Sequence, residues 1–311
     1  MEPVVIRPNK SIKGTRYIDT YKYKSGQEVP IYDVLNCHGL NQIIGYIKLI
    51  NKSYGKVYYR GQCSLHNTML PSLYHSCLPS EYNGRNRKLN DMIKKILNDD
   101  RFMREVNLNK TVDYASIIIE GLLQHYGIQT RCIDAVDNHW IALWFGLNKY
   151  HSERVGDIIY ASYTERLRNC YQIFENEKLE EENRKSDYQY IILIAADYRR
   201  ESNGVIIGYD MLTVDLRVAL PSTFLRPHAQ HGIILHRHLH DSTSNFDISK
   251  SVVGILRIRN DMAYSWLGNG GLVKFSNLFP SQFHDLSYRI MLERTDLFCD
   301  GKNSIVHYIY E

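Results

Sequence analysis

Three segments, far apart in the chain, carry side chains able to grip an anion and move a proton. The first is Tyr59-Arg60-Gly61-Gln62. An arginine delivered by an aromatic, β-prone run is a bidentate anchor for phosphate or carboxylate, and the glycine after it permits close backbone approach or positive φ. The alternative is an arginine held in a structural salt bridge near a turn. The second segment runs from Gln124-His125-Tyr126-Gly127 through Thr130-Arg131 to Asp134. It places an amide, an imidazole, a phenol, a guanidinium and a carboxylate within eleven residues. If it closes a helix, the partial negative charge there favours a protonated His125. The alternative is local: Gln124 and His125 bond nearby backbone, and Arg131 pairs with Asp134. The third is Arg226-Pro227-His228-Ala229-Gln230-His231-Gly232, which repeats guanidinium, imidazole and amide ahead of a glycine that opens an apolar run.

His236, His238 and His240 alternate after it and would share one strand face. No cysteine or carboxylate is spaced to complete a metal site with them, so they read as a solvated strand end and no metal is assigned. A Walker loop, a G-x-G-x-x-G turn, H-E-x-x-H and G-x-S-x-G are all missing, which argues against a P-loop ATPase, a Rossmann dehydrogenase and a serine hydrolase. Gly268-Asn269-Gly270-Gly271 lacks a following Lys and Ser/Thr and reads as a turn.

These residues need elements to hold them. Apolar spacing predicts helices over residues 40–52, 87–106, 113–126, 140–150 and 286–294. Gly127 is the expected stop of the third. A β-prone run at 56–59 delivers Arg60, and Thr130 to Ile133 opens a second strand. Further strands are expected at 156–162, 188–196, 204–207, 232–237 and 252–258, with a closing strand at 304–310. The charged run 175–185 reads as a solvated helix or loop. Helices first and strands later predict an α+β fold, a helical N-terminal half on a mostly antiparallel, twisted or split sheet. Residues 1–35 are polar and read as an irregular segment, ahead of a single domain over 36–311.

The bulk numbers are those of a globular chain: 44% hydrophobic and 23% charged among 311 residues. A net charge of +4 is too mild to argue for nucleic acid by itself. The 24 tyrosines are unusual, since tyrosine lines wet pockets and stacks on bases. The six cysteines form no C-x-x-C pair, the N-terminus does not read as a signal peptide, and the longest apolar stretches, such as 141–147, fall short of a membrane span. Reduced cysteines and a cytoplasmic setting without membrane contact are the expectation.

Taken in order, Tyr59-Arg60-Gly61-Gln62, Leu70-Pro71-Ser72-Leu73, the block from Leu122 to Asp134 and Ala142-Leu143-Trp144-Phe145 resemble the FRG domain, named for a Phe/Tyr-Arg-Gly tripeptide. Arg226 to Gly232 resembles its later Arg-x-x-Gln-x-Gly segment, and Phe279-Pro280 with Asp285 a C-terminal element. The chain departs from the family pattern with Gln129 in place of Pro, and with Ile133-Asp134-Ala135-Val136 in place of Leu-Asp-Trp-Thr. The family is widespread in bacteria and their phages, so the resemblance implies a role in phage defence or a toxin system. Its element order resembles an ADP-ribosyltransferase fold, which implies NAD as substrate of a transferase or glycohydrolase. On that resemblance Arg60, His125, Asp134 and Gln230 take catalytic places. Tyr59, Gly61, Gln62, Gln124, Tyr126, Thr130, Arg131, Arg226 and His231 become ligand contacts. A glutamine where such transferases use glutamate is weaker at proton abstraction. Two other readings stand beside it: a non-catalytic module that senses a nucleotide or binds a protein, and a nucleic-acid-processing enzyme.

Overall fold

β-prone runs rich in branched and aromatic residues build the strands at the centre of this molecule. The computed structural model describes residues 2–75, 77–166, 187–237, 246–299 and 303–310. Its strands are β1 (Thr15–Lys22), β2 (Glu28–Val34), β3 (Gly55–Gln62), β4 (Cys132–Val136), β5 (Asn148–Val155), β6 (Ile158–Glu165) and β7 (Tyr188–Asp197). They continue with β8 (Arg200–Ser202), β9 (Val205–Ile207), β10 (Met211–Asp215), β11 (Gly232–Arg237), β12 (Val252–Arg259) and β13 (Val306–Tyr308). Ten of them form one sheet in the order β1-β2-β12-β7-β3-β4-β11-β10-β9-β8, and β13-β6-β5 form a small second sheet. Pairing is antiparallel except between β2 and β12 and between β6 and β13. The fold is α+β, as the order of elements predicts.

The helices are α1 (Cys37–Ile50), α2 (Tyr82–Asn98), α3 (Asp100–Glu105), α4 (Ala115–His125), α5 (His139–Leu147), α6 (Leu216–Ala219) and α7 (Leu225–Ala229). After them come α8 (Asn260–Trp266), α9 (Phe275–Leu278), α10 (Leu286–Glu293) and α11 (Thr295–Phe298). The single helix expected over 87–106 divides at Asp99, whose side chain caps α3 by accepting from the Phe102 N–H. The helix expected over 140–150 ends at Leu147, and Asn148 begins β5.

The N-terminal segment expected to be irregular instead forms β1 and β2. β1 is the sheet's edge, and its half-exposed, polar composition hides the strand signal. The closing strand is confined to Val306–Tyr308. The charged run 175–185 lies outside the described residues.

One face of the sheet packs Ile133, Ala135, Ile233 and Leu235 against Met69 and Ile248. The other face carries two cores. One joins α2 and α4 to Cys132 and Ile234, and the other joins α1 and α5 to Tyr59, Val136 and Leu193. Because side chains alternate along a strand, Asp134 shares the face of Cys132 and Val136 and stands at the seam between these two cores. Burying this apolar surface at roughly 25 cal/mol per Å² is what fixes α4 and α5 on either side of it.

Candidate functional site

The seam begins where β3 and β4 part. Their register holds a single pair, Tyr59 with Val136. Beyond it the strands diverge, and the Arg60 Nη1 donates across the gap to the Asp134 carbonyl at 2.6 Å. Among the described residues this is the only hydrogen bond of the Arg60 side chain, so its remaining donors are open to a ligand. Burial lowers the Arg60 pKa and Asp134 opposes that fall, but a guanidinium stays charged at any working pH.

Asp134 itself is held from α4. Gln124 Nε2 donates to Asp134 Oδ2 at 2.6 Å, and the Thr130 hydroxyl donates to Gln124 Oε1 at 2.6 Å. His125 Nδ1 lies 4.0 Å from Asp134 Oδ1. Burial raises the Asp134 pKa, with Arg60 and the Gln124 amide acting against it. Its side chain nevertheless keeps 42% of its surface. Asp134 therefore feels its buried surroundings while part of its side chain stays open to solvent.

The expectation of a protonated His125 is overturned. Burial, then the nearby charge of Arg226, pushes its pKa down to about 3, and the backbone of Arg226 only partly opposes this. Those effects outweigh a helix end worth about half a pKa unit. His125 is therefore a neutral imidazole, and its Nε2 is buried without a partner. Gly232 makes room for it, since a Cβ there would come within 2.8 Å of the His125 ring.

Three tyrosines of the small sheet form a row of ring contacts near Asp134. Tyr150 pairs across from Tyr163 with ring centroids 5.4 Å apart, and Tyr163 stacks with Tyr308 at 6.5 Å. Burial raises the Tyr163 hydroxyl pKa well above its usual range; Tyr308, Tyr150 and Asp134 add to this and Arg226 acts against it. Tyr308 is raised by burial and feels the same Asp134 and Arg226 charges. Tyr163 and Tyr308 are thus near enough to both Asp134 and Arg226 to feel their charges. Nothing local in the sequence marks that row, because its members lie on three separate strands. The abundance of tyrosine was its only signal.

Other expected site residues belong to the scaffold. Arg131 pairs with buried Glu120, not with Asp134: its Nη2 meets Glu120 Oε2 at 2.5 Å, and its Nε meets Oε1 at 3.0 Å. Glu120 interrupts an otherwise apolar stretch of α4, which was the available clue. Tyr126 is fully buried and donates its hydroxyl to Asp285 Oδ2 at 2.8 Å. Tyr59 faces the α5 core, edge-on to His139, and its hydroxyl has no partner. Gly61 serves close packing, as a Cβ there would lie 1.9 Å from the Ala142 carbonyl of α5. Gln62 ends β3 opposite Tyr190.

Gln230 sits at the C-terminal end of α7, not on a late strand, and donates to the Leu278 carbonyl at 2.8 Å. His231 joins a separate cluster, with Nδ1 at 2.9 Å from Asp137 Oδ1 and 3.0 Å from Arg217 Nη1. Among the described residues Arg226 is the largest fully buried side chain, its guanidinium carbon 4.4 Å from the ring centroids of Tyr126 and Tyr288 and 4.5 Å from that of Tyr308. His238 and His240 lie outside the described residues. The described cysteines are free thiols. No helix among the described residues is long and apolar enough to cross a membrane.

No curated relative and no solved structure matches the chain. The ADP-ribosyltransferase likeness therefore gains no structural neighbour. The model of the FRG domain matches residues 55–154, a stretch that takes in Arg60, Gln124, His125 and Asp134 but neither Arg226 nor Tyr308. This chain carries an FRG domain, spanning β3 through most of β5.

Proposed function

We propose that the cleft over Asp134 takes a nucleotide, and that the protein is a transferase or glycohydrolase acting on an NAD-type dinucleotide. The observation that carries this is the approach of Arg60, with donors to spare, to a half-open Asp134 whose charge reaches Tyr163 and Tyr308. Arg60 binds a phosphate oxygen. The tyrosines stack on a base. Asp134 sits against the ribose. As the bond from the anomeric carbon to nicotinamide breaks, its electron pair leaves with the nicotinamide, and the carboxylate stabilises the positive charge left on the sugar. A water or an acceptor hydroxyl then bonds to that carbon and gives up its proton to Asp134, whose raised pKa suits a base. His125, being neutral, can accept a hydrogen bond or donate one, but it adds no charge.

A second reading is a nucleotide-sensing module without turnover. The engagement of Gln230 by the Leu278 carbonyl favours it, because the residue assigned to the late catalytic place already serves the scaffold.

Incubation with NAD labelled in the nicotinamide separates the two. The first reading expects label release by the wild type and its loss in both Asp134→Asn and Arg60→Ala. Thermal stabilisation by NAD without release is the signature of the second. Equal release by wild type and variants, or neither release nor stabilisation, defeats both.

A further inference from the structure

Among the described residues, one fully buried cation has no hydrogen-bond partner for its side chain. Arg226 is 0% exposed, and its Nε, Nη1 and Nη2 have no hydrogen-bond partner. The carboxylate that holds the Arg226 backbone is already engaged. Asp285 Oδ2 accepts from the Tyr126 hydroxyl at 2.8 Å and from the Arg226 backbone N–H at 3.2 Å, and Oδ1 accepts from the Tyr288 N–H at 2.9 Å. Aromatic rings cover the guanidinium: Tyr126, Tyr288 and Tyr308 within 4.5 Å, and Phe279 at 5.5 Å. Ring faces offset part of the cost of burying the charge, but they leave the five in-plane N–H donors unsatisfied. Such a group is expensive in a fold unless something arrives to use it.

Two more orphaned atoms follow in turn from it, one on His125 near the guanidinium and one on Asp134 across the His125 ring. His125 Nε2 is buried and unpartnered, and Arg226 is close enough to depress the pKa of that ring. Asp134 Oδ1 is buried and unpartnered as well. A guanidinium edge and a neutral imidazole N–H together make a receptor for a compact oxyanion. Tyr308, half-exposed on β13, is the ring over the guanidinium that also reaches solvent and feels the charge of Asp134.

We infer that Arg226 and His125 form an internal phosphate subsite that accepts one phosphoryl group of the cleft's ligand when the Tyr308 ring moves aside. The inference rests on the nucleotide reading and narrows it: the ligand must carry a phosphate that reaches past the tyrosine row, with its base remaining on the open side.

The test uses inorganic phosphate, inorganic pyrophosphate and adenosine as probes on the full chain, read by thermal unfolding and calorimetry. The wild type is expected to gain roughly 5 °C in pyrophosphate at about a hundred times its Kd, and any smaller gain from adenosine, through base stacking alone, is expected to survive Arg226→Met. Arg226→Met fills the cage with an apolar chain of similar length. It is expected to keep or raise the unliganded melting temperature while losing the phosphate response. Tyr308→Ala is expected to retain that response and to reach it faster in stopped-flow mixing. A wild type unmoved by phosphate and pyrophosphate overturns the inference, as does an Arg226→Met variant that still responds. If Arg226→Met fails to fold, Tyr308→Ala and His125→Asn carry the decision, since a response unchanged in rate and extent by both also overturns it. None of these readouts needs NAD turnover, so failure of the enzymatic reading leaves this result standing, and the reverse holds too.

Discussion

Gln124 Nε2 donates to Asp134 Oδ2 at 2.6 Å, and this bond ties the last turn of α4 to the middle of β4. The same amide accepts from Thr130, so one side chain fixes both the strand entry and the carboxylate. Gln124→Ala strips a donor from Asp134 and an acceptor from Thr130. The expected loss is about 1 kcal/mol, the low end for orphaned groups, because water reaches the half-open carboxylate. The Asp134 pKa should climb further, since the Gln124 hydrogen bond is among the effects that lower it. Urea unfolding checks the first expectation, and titration of the carboxyl carbon by NMR the second. An unmoved pKa would mean that the bond does not form in solution.

Acid should unfold this protein through histidines that refuse protons. The folded chain holds His125 down to about 3 and His139 to about 4, each chiefly by burial. Unfolded, both titrate near 6.5. Between those values the unfolded chain binds protons that the folded chain rejects, so stability is complete above pH ~6.5 and falls as pH drops. Each group contributes a slope of about 1.4 kcal/mol per pH unit inside its window. Asp134, whose pKa is raised, acts with opposite sign above the ordinary carboxylate value. Guanidinium unfolding at pH 4.5, 5.5 and 6.5 gives the slope. His125→Asn should flatten it by about one proton, and an unchanged slope would show that His125 is not the buried group described.

Much of this was legible because local chemistry set it. The run before Arg60 is β-prone, and Gly127 does take the positive φ, +98°, that ends α4. The long apolar block of β7 reads as a strand because it is buried on both faces. What stayed hidden depends on partners distant in sequence. Arg131 has Asp134 three residues away, yet it turns to Glu120 one helix earlier, and only the packing of α4 on β4 decides that choice. The meeting of Tyr150, Tyr163 and Tyr308 is a matter of strand register in the small sheet, where β13 arrives from the far end of the chain. β1 stays hidden for another reason: as an edge strand with one wet face it spells out as polar as a loop.

The Glu120–Arg131 pair should be costly to break and cheap to replace. Glu120 is 1% exposed, and it also accepts the Arg131 backbone N–H at 2.9 Å. Glu120→Ala leaves a guanidinium without its counter-charge and is expected to cost about 3–5 kcal/mol. The double change Glu120→Leu with Arg131→Met removes both charges and should recover most of that loss. A double-mutant cycle by urea unfolding measures the coupling. If the single and double variants are equally unstable, the pair contributes through packing and not through charge.

Two glycines give opposite expectations for one substitution. At Gly61 an added Cβ would lie 1.9 Å from the Ala142 carbonyl and 2.7 Å from the Gly146 nitrogen, both backbone atoms of α5 that cannot swing away. Gly61→Ala must push α5 off β3, with an expected cost of at least about 3 kcal/mol. It would also shift Arg60, whose Nη1 bridges to β4 only while β3 keeps its place. Gly84 lies on the exposed surface of α2, with nothing within 4 Å of the same Cβ. There the methyl group meets no neighbour and reduces the freedom of the unfolded chain, so Gly84→Ala should stabilise by about 0.5–1 kcal/mol. Thermal unfolding of the two variants side by side decides the matter. A tolerated Gly61→Ala would show that α5 does not rest directly on the Arg60 strand, and the geometry of the cleft floor would have to be redrawn.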